Sequence, residues 1–489
     1  MPREPDQAVK RTGIRTAAGA TQILFAEALI LPTGLVTAAY LTRTLGPADY
    51  GVFTLCASIA SWLGWMVAAV LSRATVKLVS QHPAGVPRSS PLVAALFRVY
   101  LVSAVGTCVL LFLGADAVAR GMAEPSMAGY LRLFSLEVAT FGLAVFHRDL
   151  LIAMGRFAER AKASAVRWIL RLVLIVGLVH AGLSIYGAIL GSILASAAEL
   201  IVVRYYVRPT PFVRGPLPAR LLPVLAPLVG YAIAMRLLSK LDLFMLKALG
   251  GTAEAVGFYG AAQNLTIAVT LLTLAVSPTL LTHLTTLRSS GRLDEARHAA
   301  SITLRFALIL APLAAAAAGA SGEIVVLLFG ERFASSAPLF AILLVAEVAL
   351  VATSLSTALL VATDQHRRVL AIAVSMLVVA FVAHLNVIPV YGAPGAACVT
   401  AAVSCAGALA AMLIASLAWS IPVPVATVLR SIVLAVAAYA AAAVSWGSPV
   451  LVIAKLAVVA AAVVAGFFML GEFSDREKQQ LRDLLTALR

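Results

Sequence analysis

Charged side chains inside long apolar stretches are the residues of this chain whose types and spacing could do chemistry. Arg236 and Lys240 lie four positions apart in one such stretch, and Lys247 follows seven positions later. At 100° per residue the three fall within about 40° of one another on a helix, which predicts a cationic stripe. An arginine in such a stripe can hold a phosphate through two parallel hydrogen bonds. The alternative is that Arg236 pairs with Glu27 or Glu347 for structural reasons alone.

Acidic side chains inside the apolar stretches indicate a second kind of chemistry. Glu27, Glu137 and Glu347 are predicted near the middle of a membrane, where an ionised group costs about 2.5–3.5 kcal/mol. A carboxyl group that binds a proton on one side of a membrane and releases it on the other would couple a transported solute to a proton gradient. Asp242 is a further ion-coupling candidate. The alternative for each is a helix-to-helix hydrogen bond or a fixed pair with an arginine.

Four further polar residues are weaker candidates for contacts with a polar solute. Arg43 precedes a predicted turn, where the alternative is an ion pair with Asp49. Two later apolar stretches have such residues early in their sequence, Arg132 in one and Gln263 and Asn264 in the other. Charged residues nearer the ends of such stretches are expected to extend to the membrane surface, because long side chains can snorkel. These are Arg98, Arg167, Arg171, Arg305 and Lys455. The sequence has no phosphate-loop, Ser-His-Asp or His-Glu metal signature, so we expect no cofactor, no metal and no catalytic residue.

The elements that must position these side chains are membrane helices. Hydrophobic residues make up 62% of the 489 residues and charged residues only 12%, which excludes an ordinary soluble enzyme. The apolar residues fall in blocks of about 20, the length of helix that spans a bilayer. About fourteen such spans are predicted between residues 17 and 470. The predicted fold class is therefore an all-α polytopic membrane protein.

The basic residues orient these spans. Most Arg and Lys residues fall in alternate loops, which places those loops and both termini in the cytoplasm. The net charge of +15 arises from these loops, so we do not expect a nucleic-acid partner.

Two sequence landmarks occur twice. Leu41–Leu55 and Met245–Ala261 each read as a helix end, a Leu-Gly break, a polar turn, then glycine and an aromatic residue. Tyr186-Gly-Ala and Tyr391-Gly-Ala form the second pair. The offsets are 204 residues (249 − 45, between the Leu-Gly breaks) and 205 residues (391 − 186). Such a period predicts two parallel six-helix repeats, an architecture of transporters that bind their substrate between two halves.

The repeats divide the chain into predicted segments. These are a cytoplasmic N-terminal segment (1–16), a first lobe of helices 1–6 (17–206), a cytoplasmic linker (207–221), a second lobe of helices 7–12 (222–418), helices 13–14 (425–470) and a cytoplasmic tail (471–489). In the tail, Ser474 and Glu477 have the spacing of a capping box, and leucines follow at helical spacing. This pattern predicts an amphipathic helix on the inner membrane surface.

The segment Leu41–Phe53, LTRTLGPADYGVF, closely resembles the first-loop motif of the polysaccharide transporter family of the multidrug/oligosaccharidyl-lipid/polysaccharide (MOP) flippase superfamily. Asp242–Leu265 and Leu328–Phe333 resemble two later segments of that family, and the likeness covers essentially the whole chain. One departure lies in the first span, where this chain has Glu27 and lipid II flippases tend to have an arginine.

The resemblance implies a Wzx-type flippase. Such proteins move an undecaprenyl-diphosphate-linked oligosaccharide from the inner to the outer leaflet of the bacterial plasma membrane, and they are not enzymes. Two lobes would enclose a cationic cavity, in which the diphosphate meets Arg236 and Lys240, and helices 13–14 would offer a groove for the lipid tail. The implied partners are this lipid-linked glycan, membrane lipids and glycan polymerase or assembly proteins.

Three alternatives stay open at this point. A drug or metabolite exporter of the same superfamily would usually have twelve spans. A membrane glycosyltransferase or polymerase would need a large outward loop or acidic catalytic loop residues, which the sequence does not show. A non-transporting scaffold of a glycan assembly complex would not need charges deep in the membrane.

Overall fold

The computed structural model describes residues 22–23, 25–80, 90–208, 222–445 and 451–473. Within these ranges the long elements are all helices, named here in chain order. They are α1 (Ile30–Ser80), α2 (Pro91–Gly121), α3 (Met127–Ala153), α4 (Phe157–Leu178), α5 (Ser184–Tyr206), α6 (Leu222–Ala248), α7 (Ala253–Ser289), α8 (Leu293–Gly319), α9 (Ser321–Phe329), α10 (Ser336–Ala362), α11 (His366–Trp419), α12 (Val425–Ala443) and α13 (Val452–Met469). The predicted segment 1–16, most of the predicted linker and the predicted tail helix lie outside the described residues.

The described helices are those of a multi-pass membrane protein, which confirms the predicted fold class. Nine helical stretches in the described ranges are long and apolar enough to cross a membrane. Three of the nine, Phe25–Met66, Phe157–Tyr206 and His366–Trp419, contain 42, 50 and 54 residues. Each of these is long enough for two crossings of about 20 residues. The total of fourteen spans stays a prediction.

Glycines with left-handed backbone conformations break the helices near the repeated landmarks. Gly46 has φ +77° within α1, and Pro47 after it lacks the N–H that a continuous helix would need. Gly250, 204 residues later, has φ +97° in the turn between α6 and α7. The predicted Leu-Gly break is therefore present in both copies.

The second landmark is repeated less closely in the backbone than in the sequence. Gly392 has φ +57° and kinks α11. In the first copy the left-handed residues are Gly182, with φ +91°, and Ser184, with φ +46°, a few residues before Gly187. A π-helical turn, Val179–Leu183, joins α4 to α5 at this place.

The chain divides into two compact units. The first unit comprises the residues up to Asn264 together with Ala373–Ala393, and the second comprises Leu265–Ile372 together with Pro394–Arg489. In the first unit α3 packs against α1, α2 and α5 around an aromatic core that contains Tyr100 and Phe146. In the second unit α8 packs against α10 and α12. The lobes predicted from the repeat, 17–206 and 222–418, stay a prediction.

The two copies of the first landmark touch each other inside the first unit. A Cβ atom placed on Gly51 would lie 2.0 Å from the carbonyl oxygen of Ala253. A Cβ atom placed on Gly257 would lie 2.0 Å from the carbonyl oxygen of Pro47. Small residues permit such close backbone approach between membrane helices, so glycine is required on both sides. This contact fixes α1 against the start of α7.

Candidate functional site

Arg236 lies in the middle of α6, and its guanidinium group is 5.7 Å from the ring centroid of Trp65 on α1. An arginine over an indole face is stabilised by the ring quadrupole. The Nε atom of Arg236 is buried and has no hydrogen-bond partner among the described residues. Within the described part of the first unit, no carboxylate forms an ion pair with it. Arg236 is thus a cation held by an aromatic ring and not by an acid.

Lys240 and Asp242 are joined through one amide side chain of α7. The Lys240 ammonium donates to Oε1 of Gln263 at 3.1 Å, and Nε2 of Gln263 donates to Oδ1 of Asp242 at 2.9 Å. The hydroxyl of Tyr259 donates to Oδ2 of Asp242 at 2.6 Å. At 100° per residue, Asp242 lies about 160° around α6 from Lys240. Gln263 reaches both because it projects from a different helix.

His384 completes this group from α11. It is 1% exposed, interacts electrostatically with Asp242, and has an Nδ1 atom without a hydrogen-bond partner in the described residues. We call Arg236, Lys240, Asp242, Gln263 and His384 the α6–α7 site. Its groups can bind an anion and exchange a proton. No sequence signal pointed to His384, because it lies 142 residues from Asp242 (384 − 242).

Glu27 and Glu137 belong to a second group of charges, in which each acid has a basic partner. The Arg160 guanidinium is 2.8 Å from Glu27, which also accepts from Ser164 at 3.2 Å. Arg167 is 4.0 Å from Glu137.

Glu199 is the centre of that second group and was missed in the sequence. Its side chain is fully buried and lies 3.1 Å from Arg148 and 3.5 Å from Arg167. We call Glu27, Glu137, Glu199, Arg148, Arg160 and Arg167 the paired cluster. The criterion that found Glu27, an acid inside an apolar stretch, could also have found Glu199. The expectation that Arg167 snorkels was wrong, because it is 8% exposed and contacts two glutamates.

The other predicted site residues lie apart from the α6–α7 site or contribute by hydrogen bonds. Asn264 donates to the hydroxyl of Tyr50 at 2.7 Å, which links α7 to α1. Arg43 is exposed, and Arg132 forms a partly exposed ion pair with Asp116. In the second unit, Thr266 donates to Glu347 at 3.4 Å.

Lys247 does not extend the cationic stripe as predicted, because it pairs with Glu124 at 3.2 Å. The predicted stripe therefore divides into three separate contacts, with Trp65, Gln263 and Glu124.

Two basic residues of the second unit that were expected to snorkel are paired instead. Lys455 is fully buried and lies 2.6 Å from Glu323. Arg305 donates to Glu472, just after α13, at 2.8 Å. Glu472 also accepts from Thr427 at 2.6 Å and from Arg430 at 2.7 Å. Burial alone would disfavour this carboxylate, but these hydrogen bonds outweigh it and lower the pKa of Glu472. Among the described residues, no group of three or more His, Cys, Asp or Glu side chains could hold a metal ion.

The comparisons with known proteins show the family. A sequence model of the family described as polysaccharide biosynthesis protein matches residues 40–338. The chain belongs to this family. A comparison with curated proteins finds no match.

Solved structures of the MOP superfamily share the fold of this polysaccharide biosynthesis protein. An inward-facing multidrug resistance MATE family transporter has a TM-score of 0.70 at 14% identity, covering 80% of this chain and 94% of its own. The lipid II flippase MurJ, in an inward closed conformation, has a TM-score of 0.70 at 13% identity, covering 93% and 99%. A MOP superfamily transporter from Pyrococcus furiosus has a TM-score of 0.61 at 15% identity, covering 83% and 95%.

Proposed function

We propose that this protein flips a polyprenyl-diphosphate-linked oligosaccharide from the inner to the outer leaflet of the bacterial plasma membrane, for the synthesis of a surface polysaccharide. It works by alternating access, is driven by an ion gradient, catalyses no covalent step, and has both termini in the cytoplasm. The observation that carries this proposal is Arg236, a partly buried cation over a tryptophan ring, without an acidic partner in the described part of its unit.

The electrostatics of Arg236 favour an anionic ligand. A buried charge without a counter-charge is costly, and an ion pair with good geometry offsets part of that cost. A diphosphate supplies the charge and matches the planar donor fork of a guanidinium group. Lys240, one helical turn further along α6, contributes a second cation that can move from Gln263 to the ligand. The sugars of such a substrate would lie in an aqueous cavity while its lipid stays in the bilayer.

Asp242 and His384 support proton coupling at the same site. Asp242 and His384 interact electrostatically and are both buried, and a proton bound at this pair would change the charge beside Lys240. Binding of the diphosphate at Arg236 and Lys240 would then depend on whether that proton is present. This assigns the coupling role to Asp242 ahead of Glu27, Glu137 and Glu347.

A second candidate function is the export of a drug or metabolite, which the likeness to a MATE family transporter supports. The family match favours the glycan substrate instead. The alignment with the flippase structure covers 93% of this chain, and the alignment with the MATE structure covers 80%. This difference is expected if the predicted helices 13–14 are a feature that this chain shares with flippases.

Mass spectrometry of lipid extracts tests the proposal. A strain without this gene should accumulate a polyprenyl-diphosphate oligosaccharide, and the wild-type gene should remove it. The Arg236→Ala variant should leave the accumulation in place while present in the membrane at wild-type levels. The control is Arg297→Ala, which removes an exposed arginine paired with Asp294 near the start of α8 and should restore normal output.

Two results would contradict the proposal. Normal glycan output from Arg236→Ala would remove the phosphate-binding role. A deletion strain without accumulated lipid-linked sugar but with new sensitivity to cationic compounds would indicate an exporter.

A further inference from the structure

An apolar cavity of about 790 Å³ lies within the first unit. Its walls are formed by residues of α1 between Ile59 and Met66, by residues of α2 between Val99 and Val118, and by Phe244 of α6. Nothing in the proposed function above uses this cavity.

The cavity is elongated along α2. From Val99 to Val118 the helix rises by 19 residues, or about 28 Å at 1.5 Å per residue. This length is close to the hydrocarbon thickness of a bilayer, about 30 Å. Dividing the volume by the length gives a mean cross-section of about 28 Å², which admits one hydrocarbon chain. These dimensions can accommodate a single long chain.

Trp62, Ser103 and Thr107 are the polar residues in the wall of the cavity. The indole N–H of Trp62 is buried without a hydrogen-bond partner in the described residues. Trp65, whose ring lies under the guanidinium of Arg236, directly precedes Met66 of the wall. An apolar cavity with a cation held beside a wall residue suits an amphiphile with an anionic head group.

We propose that this cavity binds the isoprenoid chain of the lipid-linked substrate, while the diphosphate of the same molecule is at Arg236. The site differs from the groove expected at helices 13–14. This inference rests on the proposed function, because the polyprenyl chain is part of the substrate proposed there.

The length of the cavity fits the polyprenyl chain of the substrate better than the acyl chain of a membrane phospholipid. A phospholipid acyl chain occupies one leaflet, about half of the 30 Å hydrocarbon core, or about 15 Å. It would fill only part of a cavity that follows α2 for about 28 Å. A polyprenyl chain is longer than one leaflet and can fill the whole length.

Photo-crosslinking of the full-length protein in lipid nanodiscs tests the inference. The probe is a polyprenyl monophosphate with a diazirine in its chain, and crosslinked peptides are identified by mass spectrometry. We expect crosslinks in the peptides that contain Ile59–Met66 and Val99–Val118. Unlabelled polyprenyl monophosphate should compete for these crosslinks, and phosphatidylglycerol should not.

Two glycines of α2 provide matched variants. Gly114 lines the cavity, Gly106 does not, and a Cβ atom at either position would meet open space. Gly114→Phe should fill the cavity and weaken crosslinking at least about five-fold, the factor that corresponds to about 1 kcal/mol. Gly106→Phe should leave crosslinking unchanged.

The outcomes separate this inference from the proposed function. Equal competition by phosphatidylglycerol would show that the cavity holds bulk lipid, and unchanged crosslinking in Gly114→Phe would show that the chain binds elsewhere. Either result overturns the cavity assignment, even if a deletion strain still accumulates lipid-linked oligosaccharide. Failure of that accumulation would overturn the proposed function, and the competition experiment would still decide what the cavity binds.

Discussion

The paired cluster and the α6–α7 site both contain arginines of the first unit, but the partners of these arginines differ. In the paired cluster, Arg148, Arg160 and Arg167 each lie within 4.0 Å of a glutamate. At the α6–α7 site, Arg236 is over a tryptophan ring and has no such partner in the described part of its unit. An arginine on a membrane helix is therefore not by itself a binding residue. The presence or absence of a counter-charge distinguishes the two groups.

The paired cluster and the α6–α7 site are therefore expected to have different roles, the first in stability and the second in ligand binding. Charges that neutralise one another keep helices together and leave little attraction for a ligand. A cation without an acidic partner attracts an anion and contributes little to holding the helices. The predictions below test this division, from the largest expected effect to the smallest.

Removal of Glu199 should have the largest effect on stability. Glu199→Ala leaves Arg148 and Arg167 buried without their shared acid, and loss of one partner from a buried ion pair costs about 3–5 kcal/mol. Thermal unfolding of the purified protein in detergent measures this change. Asp294→Ala, which breaks an exposed pair, is the control and should change little. Equal unfolding temperatures for the two variants would contradict the structural role of the paired cluster.

Asp242→Asn should change transport more than stability. The amide keeps an oxygen for the Tyr259 hydroxyl, but its nitrogen cannot accept from Gln263, and the group can no longer exchange a proton beside His384. A pH gradient of about one unit is worth about a factor of ten for one coupled proton, and the variant should lose this acceleration. Flipping of a fluorescent lipid-linked glycan in proteoliposomes, with and without the gradient, gives the measurement. A normal gradient response would exclude Asp242 as the coupling group.

Glu27→Gln should have a smaller effect on both properties. Glutamine can still accept from Ser164, and the lost pair with Arg160 is partly exposed, so the cost in stability is up to about 1 kcal/mol. The response to a pH gradient in the same proteoliposome assay should persist. Loss of that response, as expected for Asp242→Asn, would place the coupling group in the paired cluster and break the division.

Glu472 should make a modest, pH-dependent contribution to stability. Its folded pKa lies below the ordinary value of 4.5, so its stabilising contribution is present above that value and is lost as the pH falls through the lowered pKa. Wild type should therefore be more stable than Glu472→Gln near neutral pH, and the difference should shrink below about pH 4. Thermal unfolding of the two proteins at a series of pH values measures this difference in stability, with Glu331→Gln at an exposed position as the control. A difference between wild type and Glu472→Gln that does not change with pH would contradict the prediction.

The sequence was sufficient for the fold class and for the helix breaks at Gly46 and Gly250. Apolar blocks determine membrane spans directly, and a Leu-Gly-Pro run cannot continue a helix.

The partners of these charges could not be predicted. Glu199 and Arg148 are 51 residues apart, and Arg160 and Glu27 are 133 residues apart (160 − 27). Which side chains meet depends on the rotation and packing of whole helices, which a single sequence does not contain. The expectation that Lys455 snorkels failed for the same reason, because its acid is on a different helix.

The contact between Gly51 and Gly257 has a consequence for the order of biosynthesis. The two glycines are 206 residues apart (257 − 51), so the ribosome finishes the second long after the first has left it. At about 5–20 residues per second this interval is about 10–40 seconds. During that time the early helices are in the bilayer with lipid against the Gly51 face. The contact between α1 and α7 forms only when α7 arrives and displaces that lipid.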